Sequence, residues 1–274
     1  MIVRRGFGQR SVDTEKPATA DTLYAVGSVA KSVTALATLV LDERNQLDIE
    51  DAVSEYVPYF EDAPGDPISI HQLLSHTSGM PRDDLPFIAT EIDGWDDFRT
   101  FLDGTIDRRR TDYHQCIYYN SGYAVLARLV EVVTGMDFPS FVERTIFDSL
   151  GMSRSTYDSS VIEEESADVM TPYFSENDGF TEATLAENPL LHGPGGLLSS
   201  VTELATFLQA HMGDNPSLNS VPLKRLRTPI GTLKRFIDGT ERAYGYGWEI
   251  EPFDSDTLIS HGGGTGRSHR PLHS

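Results

Sequence analysis

The chain has 274 residues, and 42 acidic against 22 basic side chains give it a formal net charge of -20. A surface of that sign repels nucleic acid and anionic membranes, so neither is expected as a partner. No run of about 20 apolar residues is present that could span a bilayer, and the first residues, 1–6, lack the apolar segment of a signal peptide, which predicts a cytoplasmic location for the sequence as written.

The first clear element is a buried helix near the N-terminus. Short β signals over residues 3–8 and 22–26 precede it. Its apolar residues recur at the spacing of one helix face: Val29, Val33, Leu36 and Val40. Ser28 stands at its start, where serine is a favoured N-cap. We therefore expect a helix that Ser28 caps and that ends near Arg44 and Asn45.

The middle of the chain is predicted to consist of helices joined by loops. Ser69 and Gln72 have capping-box spacing, which predicts a short helix through Leu74 that stops at Gly79. Further helices are predicted over residues 95–102, 121–134 (ended by Gly135), 138–150 (ended by Gly151) and 201–208. Residues 153–192 are acidic and are expected to be irregular.

Strand signals return late in the chain, over residues 245–251 and 257–261, and predict a hairpin. Strands near both chain ends with helices between them predict the α+β class. We expect an antiparallel sheet built from both chain ends and flanked by helices, with a mostly helical inserted lobe. The expected organisation is one domain over 1–274, with an α/β lobe over about 1–50 and 195–274 and a helical lobe over about 51–194.

The spacing of Ser28 and Lys31 carries the first chemical prediction. Lys31 follows Ser28 by three residues, so both side chains fall on one side of the helix. Burial and the positive helix end disfavour an ammonium group, so the pKa of Lys31 is expected to fall. This S-x-x-K arrangement is typical of a serine nucleophile with a lysine base. The alternative is a capping serine followed by a lysine whose charged end reaches solvent.

A second chemical pattern pairs Tyr118 with Asn120, just before a predicted helix. In an extended segment these two side chains point the same way. A phenol beside a carboxamide makes a proton shuttle and a clamp for a substrate amide. The alternative is that Tyr118 packs on the following helix while Asn120 caps it.

The third pattern, H-G-G-G over residues 261–264, ends a predicted strand. The glycines Gly263 and Gly264 let a ligand approach the backbone closely, and their N–H groups can bind an oxyanion. The alternative is a flexible turn after His261. A similar triplet over residues 211–213 ends a helix at its glycine and is set aside.

The remaining reactive side chains predict no cofactor. His71 and His76 are close in sequence, but their spacing matches no metal motif, so no metal is expected. The single cysteine, Cys116, excludes an internal disulfide and is interpreted as a small buried hydrophobe.

The acidic surface also predicts a response to salt. Only four of the basic residues are lysines. Acidic, lysine-poor surfaces suit solubility at high salt, where self-repulsion is screened, so we expect a halophilic protein.

In this order and in these contexts, the three patterns resemble the serine β-lactamase and penicillin-binding-protein superfamily. The similarity is greatest to the class C-like branch, which includes D-alanyl-D-alanine carboxypeptidases, D-aminopeptidases and esterases. Other similar segments are residues 27–32, 73–79, 119–123, 195–200 and 246–248. The resemblance implies a serine hydrolase that forms an acyl-enzyme on Ser28, acts on an ester, a β-lactam or a D-amino-acid peptide, and needs no metal or organic cofactor.

The resemblance also assigns roles to the catalytic residues. Lys31 with Tyr118 would take the proton of Ser28 and return one to the leaving group, and which of the two is the base stays open. The backbone N–H groups of Ser28 and Gly264 would form the oxyanion hole, beside Gly263.

Two further residues receive substrate-binding roles from the same resemblance. Asn120 would hold the acyl side of the substrate, and His261 would orient the substrate or tune Tyr118. His261 is also a departure from the family pattern, because many members have a lysine there, in a K-T-G triplet.

Compared with that family, the chain looks short at both ends, with few residues before Arg5 and only residues 265–274 after the H-x-G strand. One hypothesis is therefore a truncated or frameshifted product, catalytically impaired, that self-associates through an open sheet edge. A non-catalytic binding module on the same fold is another alternative. The presence of Ser28, Lys31 and Tyr118 argues against that module.

Overall fold

A computed structural model of the chain describes residues 3–83, 85, 89–111, 115–164, 167–176, 179–185, 187–212, 223–236 and 239–265. The tail after residue 265 and Gly213, the glycine of the triplet that was set aside, lie outside the described residues.

The N-terminal helix lies at the centre of the packed core. A 3-10 turn, Gly27–Val29, leads into α1 (Ala30–Glu43), and every residue of α1 through Leu41 is buried. The predicted capping role of Ser28 is wrong. Val29 holds the N-cap position of α1 and no side chain caps the helix, because Ser28 lies inside the preceding turn. The helix ends near Arg44, as predicted.

Most of the predicted helices are confirmed, with shifted bounds. They are α2 (Ile70–Leu74), α3 (Gly94–Ile106), α4 (Asn120–Thr134), α5 (Phe138–Val142), α6 (Asp148–Leu150) and α7 (Val201–Met212). A π-helical segment, Glu143–Phe147, joins α5 to α6, and a short helix, α8 (Leu223–Leu226), was not predicted. Gly135 and Gly151 end α4 and α6 in the left-handed conformation, as expected.

The end of α2 differs from its prediction. Ser69 and Gln72 form the predicted capping box, with N–H···O distances of 3.2 and 3.1 Å. The residue that leaves the helix in the left-handed conformation is His76, with φ of 58°. Gly79 lies in a later turn, where its carbonyl accepts a hydrogen bond from the N–H of Arg110 at 2.9 Å. A histidine therefore occupies a position that normally favours glycine.

The strands form antiparallel ladders. One pair joins β1 (Tyr24–Ala25) to β4 (Leu198–Ser199), and another joins β2 (Tyr173–Glu176) to β3 (Gly179–Glu182). A four-stranded sheet follows the order β5 (Gly231–Arg235), β6 (Glu241–Tyr244), β7 (Glu249–Phe253), β8 (Asp256–Ser260). Helices packed beside antiparallel sheets confirm the α+β class.

The placement of several strands corrects the predictions. The four-stranded sheet is built entirely from residues 231–260. Among the described strands, the only pair that joins the first 50 residues to the region after residue 195 is the short β1–β4 pair. Residues 3–8 form no strand, whereas the region 153–192, expected to be irregular, carries the β2–β3 hairpin. The late hairpin is confirmed over 249–260. β5 and β6 were not predicted, because their charged residues interrupt the apolar alternation by which a strand is identified.

One connected apolar cluster links the two ends of the described core. It runs from Ala30 to Trp248 and includes residues of both α1 and α4. α1 packs against α4, and α4 packs against α2 and α5, which places the start of α1 beside the segment that precedes α4. Among the described helices, none has both the length and the apolar character required to cross a membrane.

Candidate active site

The predicted catalytic side chains meet at the start of α1. The 3-10 turn and the first turn of α1 place Nζ of Lys31 3.1 Å from Oγ of Ser28. Tyr118 comes to the same point from the segment before α4, where its phenol interacts with the side chain of Ser28. Nζ of Lys31 also lies 4.8 Å from the centre of the Tyr118 ring. The structure thus brings Ser28, Lys31 and Tyr118 together.

Lys31 is fully buried, and a turn far along the chain holds its nitrogen. Nζ donates a hydrogen bond to the carbonyl oxygen of Pro194 at 2.7 Å. The hydroxyl of Thr34 donates to the neighbouring carbonyl of Gly193 at 2.8 Å, which anchors that turn to α1. Burial lowers the pKa of Lys31 to about 7, against a smaller opposing effect of Asp83. Near neutral pH a substantial fraction of Lys31 is therefore the uncharged amine.

The pKa of Tyr118 is shifted in the opposite direction to that of Lys31. Burial raises the pKa of its phenol well above the usual value, and the interaction with the Ser28 side chain offsets only part of that effect. At neutral pH Tyr118 therefore keeps its proton and can donate it.

Two glycines allow a close backbone contact behind Ser28. Gly27 has φ of 53°, and a Cβ atom there would lie 2.6 Å from the carbonyl oxygen of Gly264. A Cβ atom on Gly263 would overlap the carbonyl oxygen of Val26. The segment after β8 therefore runs directly against the turn that carries Ser28. This contact brings the backbone N–H of Ser28 beside residues 262–264, where an oxyanion can be bound.

A cleft of about 100 Å³ opens beside Ser28 and Gly264. Its described lining is mostly apolar, but it includes the acidic residue Glu187 and the histidine His192. Burial is the largest effect on His192 and lowers its pKa, although Asp137 and, less strongly, Glu187 act in the opposite direction. The cleft therefore combines an apolar surface with one exposed carboxylate.

His261 has both ring nitrogens engaged within the protein. Nδ1 lies 2.7 Å from the carbonyl oxygen of Gly262, so Nδ1 carries the proton, because a carbonyl can only accept. Nε2 then accepts a hydrogen bond from the hydroxyl of Tyr244 at 2.9 Å. Burial lowers the pKa of His261 to about 4, so the ring is neutral at pH 7. Its centre lies 6.1 Å from that of Tyr118.

Asn120 occupies a different local structure from the one predicted. It is the first residue of α4 and is 8% exposed, whereas Tyr119 holds the N-cap position without a side-chain bond. Tyr118 and Asn120 therefore do not share one extended segment. Among the described residues that line the cleft, Gly264 is present, but Tyr118, Asn120 and His261 are not.

Several groups at the site were missed by reasoning from sequence. The carbonyl of Pro194 and the hydroxyl of Tyr244 hold Lys31 and His261, respectively, and Glu187 lines the cleft. The G-P-G-G run around Pro194 is a sequence signal for close backbone approach, but nothing in it links the Pro194 carbonyl to Lys31. Tyr244 ends a strand without a recognisable pattern, so nothing in the sequence marked it.

Neither the described histidines nor the cysteine adds another reactive centre. The part of the chain that the structure describes contains no group of three or more His, Cys, Asp or Glu residues suited to hold a metal ion. Cys116 is buried and unpaired, and burial raises the pKa of its thiol to about 12. Its interpretation as a small buried side chain agrees with this environment.

Comparisons with known proteins give a consistent family. The family model described as Beta-lactamase matches residues 1–270. Penicillin-binding protein 4* of Bacillus subtilis (strain 168) is 24% identical over 285 residues, covering 96% of this chain and 60% of that protein. Teichoic acid D-alanine hydrolase of Staphylococcus aureus (strain MRSA252) is 25% identical over 256 residues, covering 90% of this chain and 59% of that protein.

A solved structure shows the same fold. The octameric penicillin-binding protein homologue from Pyrococcus abyssi superposes with a TM-score of 0.83 at 29% identity, covering 96% of this chain and 61% of that chain. The present chain thus spans about 60% of the length of these relatives.

Proposed function

The chain belongs to the Beta-lactamase family, and we propose that it is a serine hydrolase that cleaves an ester or an amide through an acyl-enzyme on Ser28. The observation that carries the proposal is the 3.1 Å approach of Ser28 Oγ to Nζ of Lys31, a fully buried lysine with a pKa of about 7. The family's members include hydrolases, among them the relative named teichoic acid D-alanine hydrolase.

Lys31 is the base in the acylation step. In the structure Nζ donates hydrogen bonds to Oγ of Ser28 and to the carbonyl oxygen of Pro194. In the amine form Nζ keeps the N–H donated to Pro194, and its lone pair can take the Ser28 proton across the same 3.1 Å contact. The Ser28 proton moves to Nζ while Oγ attacks the substrate carbonyl carbon. Tyr118 cannot take this role near pH 7, because its phenol retains its proton.

Tyr118 is the acid that completes acylation. When the tetrahedral intermediate collapses, the phenol gives its proton to the leaving oxygen or nitrogen, and the proton held by Lys31 restores the phenol. In deacylation a water molecule attacks the acyl carbon, and its proton passes through Tyr118 to Lys31. The bond between that carbon and Oγ of Ser28 then breaks, and Lys31 returns the proton to Oγ. The N–H groups of Ser28 and Gly264 stabilise the negative oxygen in both steps, and the contact of Gly263 with Val26 supports that placement.

The charge of the cleft favours neutral or cationic acyl groups. Glu187 is exposed among apolar lining residues, and burial keeps His192 largely uncharged at pH 8. A carboxylate-bearing acyl group would meet like charge, whereas an ammonium group, as in an aminoacyl ester, would meet opposite charge. We therefore propose that aminoacyl esters or amides are better substrates than acids that carry a free carboxylate beside the reacting carbonyl.

Self-association is also proposed for this chain. The Pyrococcus abyssi relative is described as octameric. In this chain β8 lies at the edge of the four-stranded sheet, and its Leu258 is 41% exposed. Light scattering after size exclusion should give a mass of at least two chains, and a monomer across the micromolar range would contradict it.

Covalent labelling tests the proposed nucleophile. A fluorophosphonate probe should modify Ser28, and mass spectrometry of the labelled peptide should locate it there. Ser28→Ala should abolish both labelling and hydrolysis of a p-nitrophenyl ester. Ser32→Ala, which removes a buried hydroxyl bonded to Val29 on the same helix, should remain labelled at Ser28. Labelling of another serine that persists in Ser28→Ala would overturn the proposal.

A further inference from the structure

His76 is a buried histidine that the proposed chemistry does not use. It is 1% exposed and adopts a left-handed backbone conformation with φ of 58°. Glycine is the usual residue at such a helix end, because a Cβ atom adds strain there. A side chain retained at a strained position points to a task for that side chain.

Hydrogen bonds join His76 to the residues on both sides of Tyr118. The N–H of Ile117 donates to the carbonyl oxygen of His76 at 2.9 Å. The N–H of Tyr119 donates to Nδ1 of the His76 ring at 3.2 Å. The residues on both sides of Tyr118 are therefore tied to the same histidine, one through its backbone and the other through its ring.

The ring of His76 also packs directly against the phenol-bearing side chains of the site. Its centre lies 4.5 Å from that of Tyr118, 4.6 Å from that of Tyr244 and 5.1 Å from that of Tyr123. Tyr244 is held by His261, and Tyr123 donates to the carbonyl of Leu74 at 2.7 Å. Tyr118 therefore packs against the His76 ring, and Tyr123 and Tyr244 hold that ring in place.

The contacts of the His76 ring determine which of its nitrogens carries the proton. Nδ1 accepts from Tyr119, so the single proton of the neutral ring is on Nε2, which has no hydrogen-bond partner among the described residues. Burial lowers the pKa of His76 well below its usual value, and the nearby Lys31 and His261 lower it further. Protonation of Nδ1 would also break the bond from Tyr119. His76 therefore stays neutral and does not exchange protons during turnover.

We propose that His76 is a positioning residue for Tyr118: through its carbonyl, Nδ1 and ring it holds the phenol over Ser28 for proton donation to the leaving group. This inference rests on the proposed serine hydrolase function. A role confined to ending α2 is a poorer explanation, because glycine ends a helix without the strain that His76 bears.

Two substitutions distinguish a role of His76 in positioning Tyr118 from a role in ending α2. His76→Gly suits the left-handed backbone but removes the ring and the acceptor for Tyr119. His76→Asn also tolerates that backbone and offers Oδ1 near the place of Nδ1. We expect His76→Gly to lower kcat on an alkyl ester by about 10- to 100-fold with little change in KM. His76→Asn should recover most of that loss. Equal kcat in wild type and His76→Gly would overturn the inference.

The ratio of two substrates makes the test independent of how much protein is folded. A p-nitrophenyl ester has a leaving group that needs no proton, whereas an alkyl ester of the same acid needs one. His76→Gly should lower the ratio of alkyl to p-nitrophenyl turnover within one sample. An unchanged ratio would contradict positioning. Asn45→Gly, at another left-handed residue with φ of 53°, is the matched control and should keep the wild-type ratio.

A double-mutant cycle tests whether His76 acts through Tyr118. In a Tyr118→Phe background, His76→Gly should cause no further loss in that ratio, because the proton donor is already absent. A full additional loss would show that His76 acts elsewhere. If fluorophosphonate fails to label Ser28 in the wild type, the proposed function fails. If labelling succeeds and the cycle is additive, the inference about His76 alone fails.

Discussion

Nζ of Lys31 lies 3.1 Å from Oγ of Ser28, at the end of a side chain with no exposed surface. Because burial lowers the pKa of Lys31 to about 7, its amine form becomes available at the pH where the serine proton must be taken. Burial therefore places a nitrogen that is partly uncharged near neutral pH within hydrogen-bond distance of the Ser28 hydroxyl.

The pH dependence of acylation should report this nitrogen. Below pH 7 Lys31 is protonated and cannot accept the Ser28 proton, so kcat/KM for a p-nitrophenyl ester should rise with pH and level off above pH 8. Lys31→Arg keeps a cation that does not deprotonate and should lower kcat/KM by about 10²- to 10⁴-fold at pH 8. A flat profile from pH 5 to 9 would exclude Lys31 as the base.

Removal of the Tyr118 hydroxyl should affect substrates unequally. Tyr118→Phe should slow alkyl ester or amide hydrolysis by about 10²-fold or more, because the leaving group then lacks its proton donor. Hydrolysis of a p-nitrophenyl ester should fall much less. Steady-state kinetics on both substrates measure the difference, and equal losses would indicate that Tyr118 serves mainly to activate Ser28.

The close contact between Gly263 and the Val26 carbonyl can be tested by comparing two glycine-to-alanine substitutions. Gly263→Ala should lower the free energy of unfolding by about 2 kcal/mol or more and strongly reduce turnover, because its Cβ would overlap the Val26 carbonyl. Gly262→Ala is the matched control, since a Cβ there meets nothing within 4 Å. Thermal melts and ester kinetics should separate the two variants, and similar behaviour would argue against the close packing.

The carboxylate in the cleft should determine the preferred charge of the substrate. Glu187→Gln should lower kcat/KM for an aminoacyl p-nitrophenyl ester while leaving that for the uncharged acetyl ester within about twofold. The preference should weaken as salt is added, because exposed charges are screened. A similar change for both esters would mean that Glu187 does not sense substrate charge.

The net charge of -20 should make stability depend on salt. Self-repulsion among surface carboxylates is screened in concentrated electrolyte, so Tm should rise between dilute buffer and molar KCl. Differential scanning fluorimetry at fixed pH measures the change. A Tm that stays constant or falls would contradict the expectation of a halophilic protein.

The local patterns were sufficient to predict most of the helices and the order of the chemical motifs. The apolar spacing of α1 and the capping box at Ser69 depend on neighbours within one or two turns, so the sequence alone determines them. The separation of three residues between Ser28 and Lys31 likewise places both side chains together without help from the rest of the fold.

Contacts between distant segments were decided by the tertiary structure. The carbonyl that holds Lys31 comes from Pro194, 163 residues away, and no spacing rule joins the two. The bond from the backbone of Tyr119 to the His76 ring likewise joins residues that are 43 positions apart, and it forms where α2 packs on α4. Burial in that packing also lowers the pKa of Lys31 and raises that of Tyr118. The sequence by itself determined which groups are present, and the tertiary structure decided which of them meet and in which direction their pKa values shift, because desolvation is a property of the packed fold.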